Sequence, residues 1–403
     1  MKHDTRRVVI TGYSVAAGNG RDREEFYANC MAGKLGIRQC TLYSTQKLRT
    51  GYFGQTEAEL VYEPASWQEK DRMEALMELA LEQLYQSASF SSGQAAAYGK
   101  KGCLCLGTLL AATGKIMAFA RKEAAGEKEL PWLSHTVEYG PWLKKRSGIR
   151  GGLYIDSAAC ASGTTAVGLA FDLIRRGKYE MALAGGADPL TEVSAAGFHA
   201  LQSLSLGICN PFDESRDGIN IGEGAAFFLL ETLESARERG AQIYGEVLGY
   251  GLNNDAYHIT SPDPEGAGAA ASMEQALEQG GILPEQVDYI NAHGTGTPVN
   301  DPMECKAIAK VFGKAEPGPA VNSTKALVGH CMGASGAVEL AAVLLSMEHG
   351  TLMPMPGLKN LLEEAGNTEI RAEGRKREIS YALSNSFAFA GNTASLLVGA
   401  WKE

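Results

Sequence analysis

The sequence predicts an α/β fold in which helices cover a β-sheet. Short apolar runs, typical of buried strands, alternate along the chain with segments whose apolar residues have helical spacing. No long linker or low-complexity segment interrupts this alternation, and apolar residues make up 45% of the 403 residues, enough for a large core. Such alternation is typical of layered α/β proteins.

The predicted elements follow one another in chain order. Strands are expected at 7–12, 153–158, 181–184, 225–230, 245–250 and 287–292. The window 103–120 is expected to begin with a further strand. Helices are expected at the end of 103–120, at 71–84, where apolar residues recur every three or four positions, and at 232–239, which Gly240 ends. The mixed segment 122–150 is unassigned.

Two segments of equal length indicate an internal duplication. Residues 161–177 and 334–350 each begin with Ala-Ser-Gly and are mostly apolar around the whole helix, as helices buried inside a protein are. Equivalent buried helices in the two parts of the chain suggest two similar halves. Coincidence is the alternative, because small residues commonly open tightly packed helices.

Charge and cysteine usage exclude several classes of protein. With a net charge of −10, the chain has no basic excess for non-specific binding of nucleic acid, although a local basic patch for an acidic protein is compatible with it. Eight cysteines without a C-x-x-C pair or a His cluster predict neither a zinc site nor a disulfide framework. No signal peptide is expected, and the most apolar window, 103–120, is interrupted by glycine, threonine and lysine, so we expect no membrane insertion and a cytoplasmic protein.

Cys160 is the candidate nucleophile. The segment 156–163 (DSAACASG) places it between a predicted strand and the start of a predicted helix. The dipole and free N–H groups at that helix end favour the thiolate and are able to hold an oxyanion. The alternative is a small buried core cysteine.

His293 ends a predicted strand in the glycine-rich segment 291–298 (NAHGTGTP). Loops at the carboxyl ends of strands are the usual place for active sites of α/β proteins. Asp301 is expected to cap the next helix, with Pro302 in its first turn and Glu304 as a capping acid, an ion-pair partner or both.

His330 and Lys325 share the segment 322–333 (NSTKALVGHCMG), which precedes the second apolar helix. A lysine buried beside that helix needs a partner, because an unpaired buried charge is costly; the alternative is a surface lysine. The segment 384–393 (SNSFAFAGNT) is by itself a weak signal, equally typical of a tight turn beside the core.

Together these segments offer one cysteine, two histidines and one lysine. A nucleophile with two neutral imidazoles suits acyl transfer followed by stabilisation of an enolate. Metal binding is disfavoured because neither helical His spacing nor a carboxylate cluster accompanies these groups. The stretch from Gly107 to Lys115 is no P-loop, because an isoleucine follows the lysine.

The four segments around Cys160, His293, His330 and Phe389 resemble those of the elongating, FabF-like β-ketoacyl-acyl-carrier-protein synthases, which are thiolase-like condensing enzymes. Residues 210–224 (NPFDESRDGINIGEG) and 255–262 (DAYHITSP) agree with the same family. The likeness runs almost end to end and is strongest from residue 155 onward.

The resemblance implies a thiolase-like fold of two duplicated α/β halves in five layers, α-β-α-β-α. The N-terminal half, 1–244, would hold the nucleophile, and the C-terminal half, 245–403, the two histidines. The implied reaction is decarboxylative condensation of malonyl-carrier protein with an acyl group on Cys160, in fatty acid, polyene or polyketide synthesis. No cofactor is expected, since phosphopantetheine arrives on the acyl carrier protein, and the expected assembly is a homodimer or a heterodimer with a related subunit.

The resemblance also implies residue roles. Cys160 would carry the acyl group, and His293 and His330 would bind the malonyl thioester carbonyl and stabilise the enolate. Lys325, paired with Glu304, would hold the electrostatics of the site. The remaining implied roles are the oxyanion hole (N–H groups of Cys160 and Phe389), the pantetheine contacts (Thr260, Thr295 and Thr297) and the gate of the acyl pocket (Phe198 and Phe389).

The chain departs from the family pattern near the implied gate. Ala388 and Ala390 stand where relatives usually have glycine, which permits backbone angles that alanine resists. Gln202 stands where many relatives carry an arginine that receives the carrier protein. These departures suggest a specialised substrate.

Two alternatives compete with this interpretation. A chain-initiating synthase has a Cys-His-Asn set, whereas His330 stands at the second histidine of the elongating type. A catalytically silent partner, like the chain-length factors that pair with a ketosynthase, lacks the nucleophile that Cys160 provides.

Overall fold

The computed structural model of the protein describes residues 6–57, 70–126 and 139–402. Its strands are β1 Val8–Tyr13, β2 Ala16–Ala17, β3 Ile37–Gln39, β4 Tyr52–Gly54, β5 Gly102–Gly107, β6 Gly152–Asp156, β7 Met181–Asp188, β8 Gly224–Thr232, β9 Gly245–Asn254, β10 Tyr289–Asn291, β11 Ala320–Asn322, β12 Thr351–Leu352, β13 Glu369–Ile370, β14 Arg375–Lys376, β15 Tyr381–Phe387 and β16 Asn392–Gly399.

The α-helices of the described residues complete the layers. They are α1 Arg23–Met31, α2 Arg72–Ser87, α3 Ser92–Ala97, α4 Thr113–Ala124, α5 Tyr139–Ser147, α6 Ser162–Arg175, α7 Glu192–Ala200, α8 Leu233–Glu238, α9 Ala267–Gly280, α10 Asn300–Phe312, α11 Lys325–Val328 and α12 Ser335–His349.

The two parts of the chain repeat one sheet topology. In space the first part runs β1-β8-β7-β5-β6 and the second β9-β16-β15-β10-β11. When these five strands of each part are numbered in chain order, both parts have the spatial order first, fifth, fourth, second, third. In both parts the outer three strands are parallel and the inner pairs antiparallel. The predicted duplication is thus present in the strand order itself, and β1 and β9 join the two parts.

The two apolar helices lie at the centre. Helix α6 follows the third strand of the first part, and α12 follows the third strand of the second. They pack against each other and between the two parts of the sheet, while α2 and α9 cover its outer faces. Three apolar clusters correspond to the central and the two outer helix layers, which gives the α-β-α-β-α arrangement.

Most predicted elements are present, with different ends. Strands β7 and β9 each run four residues beyond their predicted ends at 184 and 250. The prediction stopped early because the glycines at 185, 186 and 251 and the asparagines at 253 and 254 are typical of turns. Part of the unassigned segment 122–150 forms α5, and residues 127–138 of it lie outside the described residues. None of the described helices has the length and apolar character needed to cross a membrane. The division at residue 244 stays a prediction.

Candidate active site

Cys160 lies in a tight turn between β6 and α6. A 3₁₀ turn, Ala159–Ala161, carries it to the first residue of the helix, Ser162, and Ala159 has a φ of +50°. The side chain is buried but lines a cavity of about 290 Å³. The predicted position at a helix N-terminus is therefore present.

The electrostatics of Cys160 differ from expectation. Burial raises the pKa of its thiol to about 12, against the opposing effect of the Lys325 ammonium. Desolvation disfavours the charged form, and the lysine offsets only part of that effect. Burial thus acts against the thiolate that the helix end is expected to favour, and the thiol form predominates at neutral pH.

His293 is positioned by a carboxylate behind its backbone. It follows β10, and the N–H groups of His293 and Gly294 donate to Glu304 at 2.8 and 2.7 Å. Glu304 is fully buried on α10, and burial raises its pKa to about 7. Glu304 thus holds the loop that presents the imidazole.

Lys325 lies next to His293 but pairs with a different glutamate than predicted. Its ammonium is 3.2 Å from His293 Nδ1, donates to His293 O at 2.6 Å, and forms a buried ion pair with Glu339. The predicted Lys325–Glu304 pair is wrong, because Glu304 is engaged by the two backbone N–H groups. Burial raises the pKa of Glu339 to about 7 despite the ion pair.

The two imidazoles are neutral and share one tautomer. Burial, with Lys325 next in importance, lowers the pKa of His330 to about 3 and that of His293 well below its usual value. The N–H of Met332 donates to His330 Nδ1 at 3.0 Å. The Lys325 ammonium, 3.2 Å from His293 Nδ1, is a donor only, so this nitrogen must be the acceptor. Both rings therefore carry their proton on Nε2.

One cavity brings most of the predicted residues together. The two imidazoles lie edge to face, with ring centroids 5.5 Å apart. Of the predicted site residues, the cavity is lined by Cys160, Phe198, Thr260, His293, Thr295, Thr297, His330 and Phe389. Lys325 and Glu304 do not line it and act from behind His293. Among the described residues, no group of three or more His, Cys, Asp or Glu side chains is arranged to hold a metal ion.

Two family models together match most of the chain. The model described as the N-terminal domain of β-ketoacyl synthase matches residues 5–236, and that of the C-terminal domain matches 244–359. The chain belongs to the β-ketoacyl synthase family.

Individual relatives cover nearly the whole chain. A 3-oxoacyl-[acyl-carrier-protein] synthase 2 of Staphylococcus aureus (strain COL) is 33% identical over 97% of this chain and 98% of the relative. The structure of the ishigamide ketosynthase/chain length factor is 30% identical with a TM-score of 0.88, covering 99% of this chain and 100% of that one. A type II polyketide ketosynthase in complex with its acyl-carrier protein is 29% identical with a TM-score of 0.89, again over 99% and 100%.

In this β-ketoacyl synthase the two alanines near the implied gate are not equivalent. The rings of Phe198 and Phe389 stack with centroids 5.7 Å apart. Ala390 has a φ of +62°, in the left-handed region, whereas Ala388 is extended at −127°. Their N–H groups donate to Ile259 O and Asn392 O, both at 2.8 Å, on either side of Phe389. Of the two, only Ala390 occupies the left-handed region, which glycine adopts more readily than alanine.

Asp301, at the end of the loop from 294 to 301, does not cap helix α10 as predicted. Helix α10 begins at Asn300, so Asp301 lies inside its first turn and is no cap. The Asp301 carboxylate instead accepts N–H groups of Phe212 at 2.8 Å and Thr295 at 3.0 Å. Thr295 and Thr297 meet at 2.9 Å between their hydroxyl oxygens, at the cavity wall. The prediction failed because a carboxylate at a helix start looks the same in a sequence whether it binds its own helix or a neighbouring loop.

Sequence reasoning missed Glu339. The available signal was a single carboxylate within an otherwise apolar helix, α12. Such a group is rarely buried without a cation. Lys325, in the preceding segment 322–333, is the cation that pairs with it.

Proposed function

We propose that this chain is a β-ketoacyl-acyl-carrier-protein synthase acting in the cytoplasm on carrier-bound acyl chains. The observation that carries the proposal is the presence of two neutral imidazoles, both protonated on Nε2, in the same cavity as Cys160. Two such donors stabilise an enolate oxygen without holding a charge of their own.

In the first half-reaction, Cys160 Sγ attacks the carbonyl of an acyl-carrier thioester. The N–H groups of Cys160 and Phe389 hold the oxyanion, the bond to the pantetheine sulfur breaks, and the thiol proton leaves with that sulfur. This exchange needs no standing thiolate, which fits the high pKa of the buried thiol. The product is an acyl group on Cys160.

In the second half-reaction, the carbonyl of malonyl-carrier protein binds Nε2–H of His293 and His330. Carbon dioxide leaves, and the electron pair of the broken bond forms an enolate whose oxygen these two donors stabilise. The enolate carbon attacks the acyl-Cys160 carbonyl and a carbon–carbon bond forms. The bond from that carbonyl to Cys160 Sγ breaks, and the released thiolate takes up a proton from solvent to restore the thiol. Thr260, Thr295 and Thr297 contact the pantetheine arm in the cavity.

The partners and the division of the chain follow from the same proposal. The acyl carrier protein delivers both substrates, and the enzyme works as a homodimer or with a related subunit. The N-terminal half, 1–244, supplies Cys160, and the C-terminal half, 245–403, supplies both histidines. Cys160 disfavours the role of a silent partner, since that role requires no nucleophile.

The test is incubation with malonyl-carrier protein and a panel of acyl-carrier proteins of different length and unsaturation. Mass spectrometry is expected to find an acyl adduct on Cys160 and a product longer by two carbons. Cys160→Ala is the matched control, which should retain its fold and form neither. If the wild-type chain forms no adduct and no product with any donor while folded, the proposal is wrong.

A further inference from the structure

Asp188 is a buried carboxylate with no role in the proposed chemistry. It ends β7, is fully buried, and has no Lys, Arg or His within ion-pair distance among the described residues. Four donors surround it instead: Thr108 Oγ1 at 2.7 Å and the N–H groups of Leu109 at 2.9 Å, Leu110 at 2.9 Å and Gly333 at 2.7 Å. A buried anion held only by neutral donors is costly, since burial opposes its charge.

These donors come from two different parts of the site. Residues 108–110 form the loop after β5, and Leu109 and Leu110 belong to the apolar cluster that contains Phe198. Gly333 belongs to the turn between His330 and α12. One carboxylate therefore ties the wall beside Phe198 to the segment that carries His330.

The link from Asp188 to His330 is short. Met332 has a φ of +54°, and its N–H donates to His330 Nδ1 at 3.0 Å. The next N–H, that of Gly333, donates to Asp188. A Cβ on Gly333 would approach both Asp188 Oδ2 and Leu109 N to 2.6 Å, so this turn fits closely against the carboxylate.

We propose that Asp188 is a positioning residue for condensation: by holding the 332–333 turn, it directs the Met332 N–H at His330 and keeps Nε2–H of His330 turned to the cavity. This inference rests on the proposed function of His330. The Asp188 carboxylate orients this turn by accepting the N–H of Gly333. Glu304 holds the loop of His293 in the same manner, by accepting backbone N–H groups.

The test is Asp188→Asn. The asparagine side chain has nearly the same size, but its NH2 group replaces one of the two oxygens that accept hydrogen bonds from the backbone N–H groups. We expect malonyl decarboxylation to fall by roughly 10- to 100-fold, the usual effect of a small misplacement of a reacting group. Acyl transfer to Cys160 from a short-chain donor should not slow by more than about three-fold, because neither imidazole is needed to form the oxyanion.

The matched control is Glu231→Gln. Glu231 lies on β8, away from the cavity, and is also a fully buried carboxylate. The side chains of Arg239 and Tyr98 donate hydrogen bonds to it. Its loss is expected to lower stability without changing the ratio of decarboxylation to acyl transfer. If Asp188→Asn lowers both rates equally, or neither, Asp188 only holds the fold and the inference is wrong.

A crystal structure of Asp188→Asn separates this inference from the proposed function. The distance from Met332 N to His330 Nδ1 is expected to exceed 3.5 Å, and an unchanged distance would overturn the inference even if the wild type proved inactive. Should Asp188→Asn fail to fold, Gly333→Ala disturbs the same contact from the other side and is expected to give the same selective loss. Equal loss of both rates in Gly333→Ala would also contradict it.

Discussion

The ammonium of Lys325 lies 3.2 Å from Nδ1 of His293 and 2.6 Å from its carbonyl oxygen. The same ammonium is paired with Glu339, and both side chains are buried. Lys325 thus has two separable effects: it neutralises a buried carboxylate, and it keeps the imidazole proton of His293 on the side of the cavity.

Lys325→Met should remove both effects. Leaving Glu339 buried without its cation is expected to cost about 3–5 kcal/mol of unfolding free energy, since breaking one side of a buried pair strands a charge. The double variant Lys325→Met with Glu339→Leu should recover most of that stability, because an apolar pair of similar volume is often neutral. Urea unfolding measures both.

Activity should not return with stability in that double variant. His293 Nδ1 still lacks its donor, so malonyl decarboxylation is expected to stay low while acyl transfer to Cys160 persists. A double variant that decarboxylates malonyl-carrier protein as fast as wild type would show that the ion pair serves stability alone.

His293→Ala and His330→Ala should each suppress malonyl decarboxylation by about 10²–10³, the usual cost of losing one donor to a developing oxyanion. Acyl loading of Cys160 should be much less affected, since backbone N–H groups serve that step. Rates of carbon dioxide release and of adduct formation measure the two steps. Normal decarboxylation in both variants would remove the histidines from the mechanism.

Alkylation of Cys160 should be selective but strongly dependent on pH. All eight cysteines are buried, and Cys160 lines the cavity, so limiting iodoacetamide should label it first and abolish condensation. Because burial raises the pKa of this thiol to about 12, the rate should rise about tenfold per pH unit from 7 to 10, as the thiolate fraction does. A plateau below pH 9, or equal labelling of all eight cysteines, would contradict this.

The two alanines beside Phe389 should respond differently to glycine. Ala390→Gly relieves a left-handed alanine, worth about 1 kcal/mol, and should widen the range of acyl chains accepted or speed their transfer. Ala388→Gly is the matched control: its backbone is already extended, so it should lower stability by about 0.5–1 kcal/mol without changing acyl preference.

Single-turnover acylation with donors of increasing length measures that difference. Decarboxylation should change little in either variant, since it depends on the histidines. If Ala390→Gly has the acyl preference and the transfer rate of wild type, the left-handed alanine does not limit the gate.

The sequence by itself determined the elements and the chemistry-bearing residues. Strand and helix periods, the repeated apolar helices and the short loops around Cys160, His293 and His330 are local patterns, readable within a few residues. Their order also matched a known family over almost the entire chain, which is why the fold and the reaction class could be predicted.

Only the tertiary structure decided which charged groups pair and which protonation state each buried group has. The sequence predicted Glu304 as the partner of Lys325. In the folded chain Lys325 pairs with Glu339 instead, and Glu304 accepts the backbone N–H groups of His293 and Gly294. The sequence also predicted a helix end that favours the Cys160 thiolate, whereas burial in the folded chain raises the pKa of that thiol to about 12. Partner choice and desolvation depend on distances between segments far apart in the chain, and these distances exist only after folding.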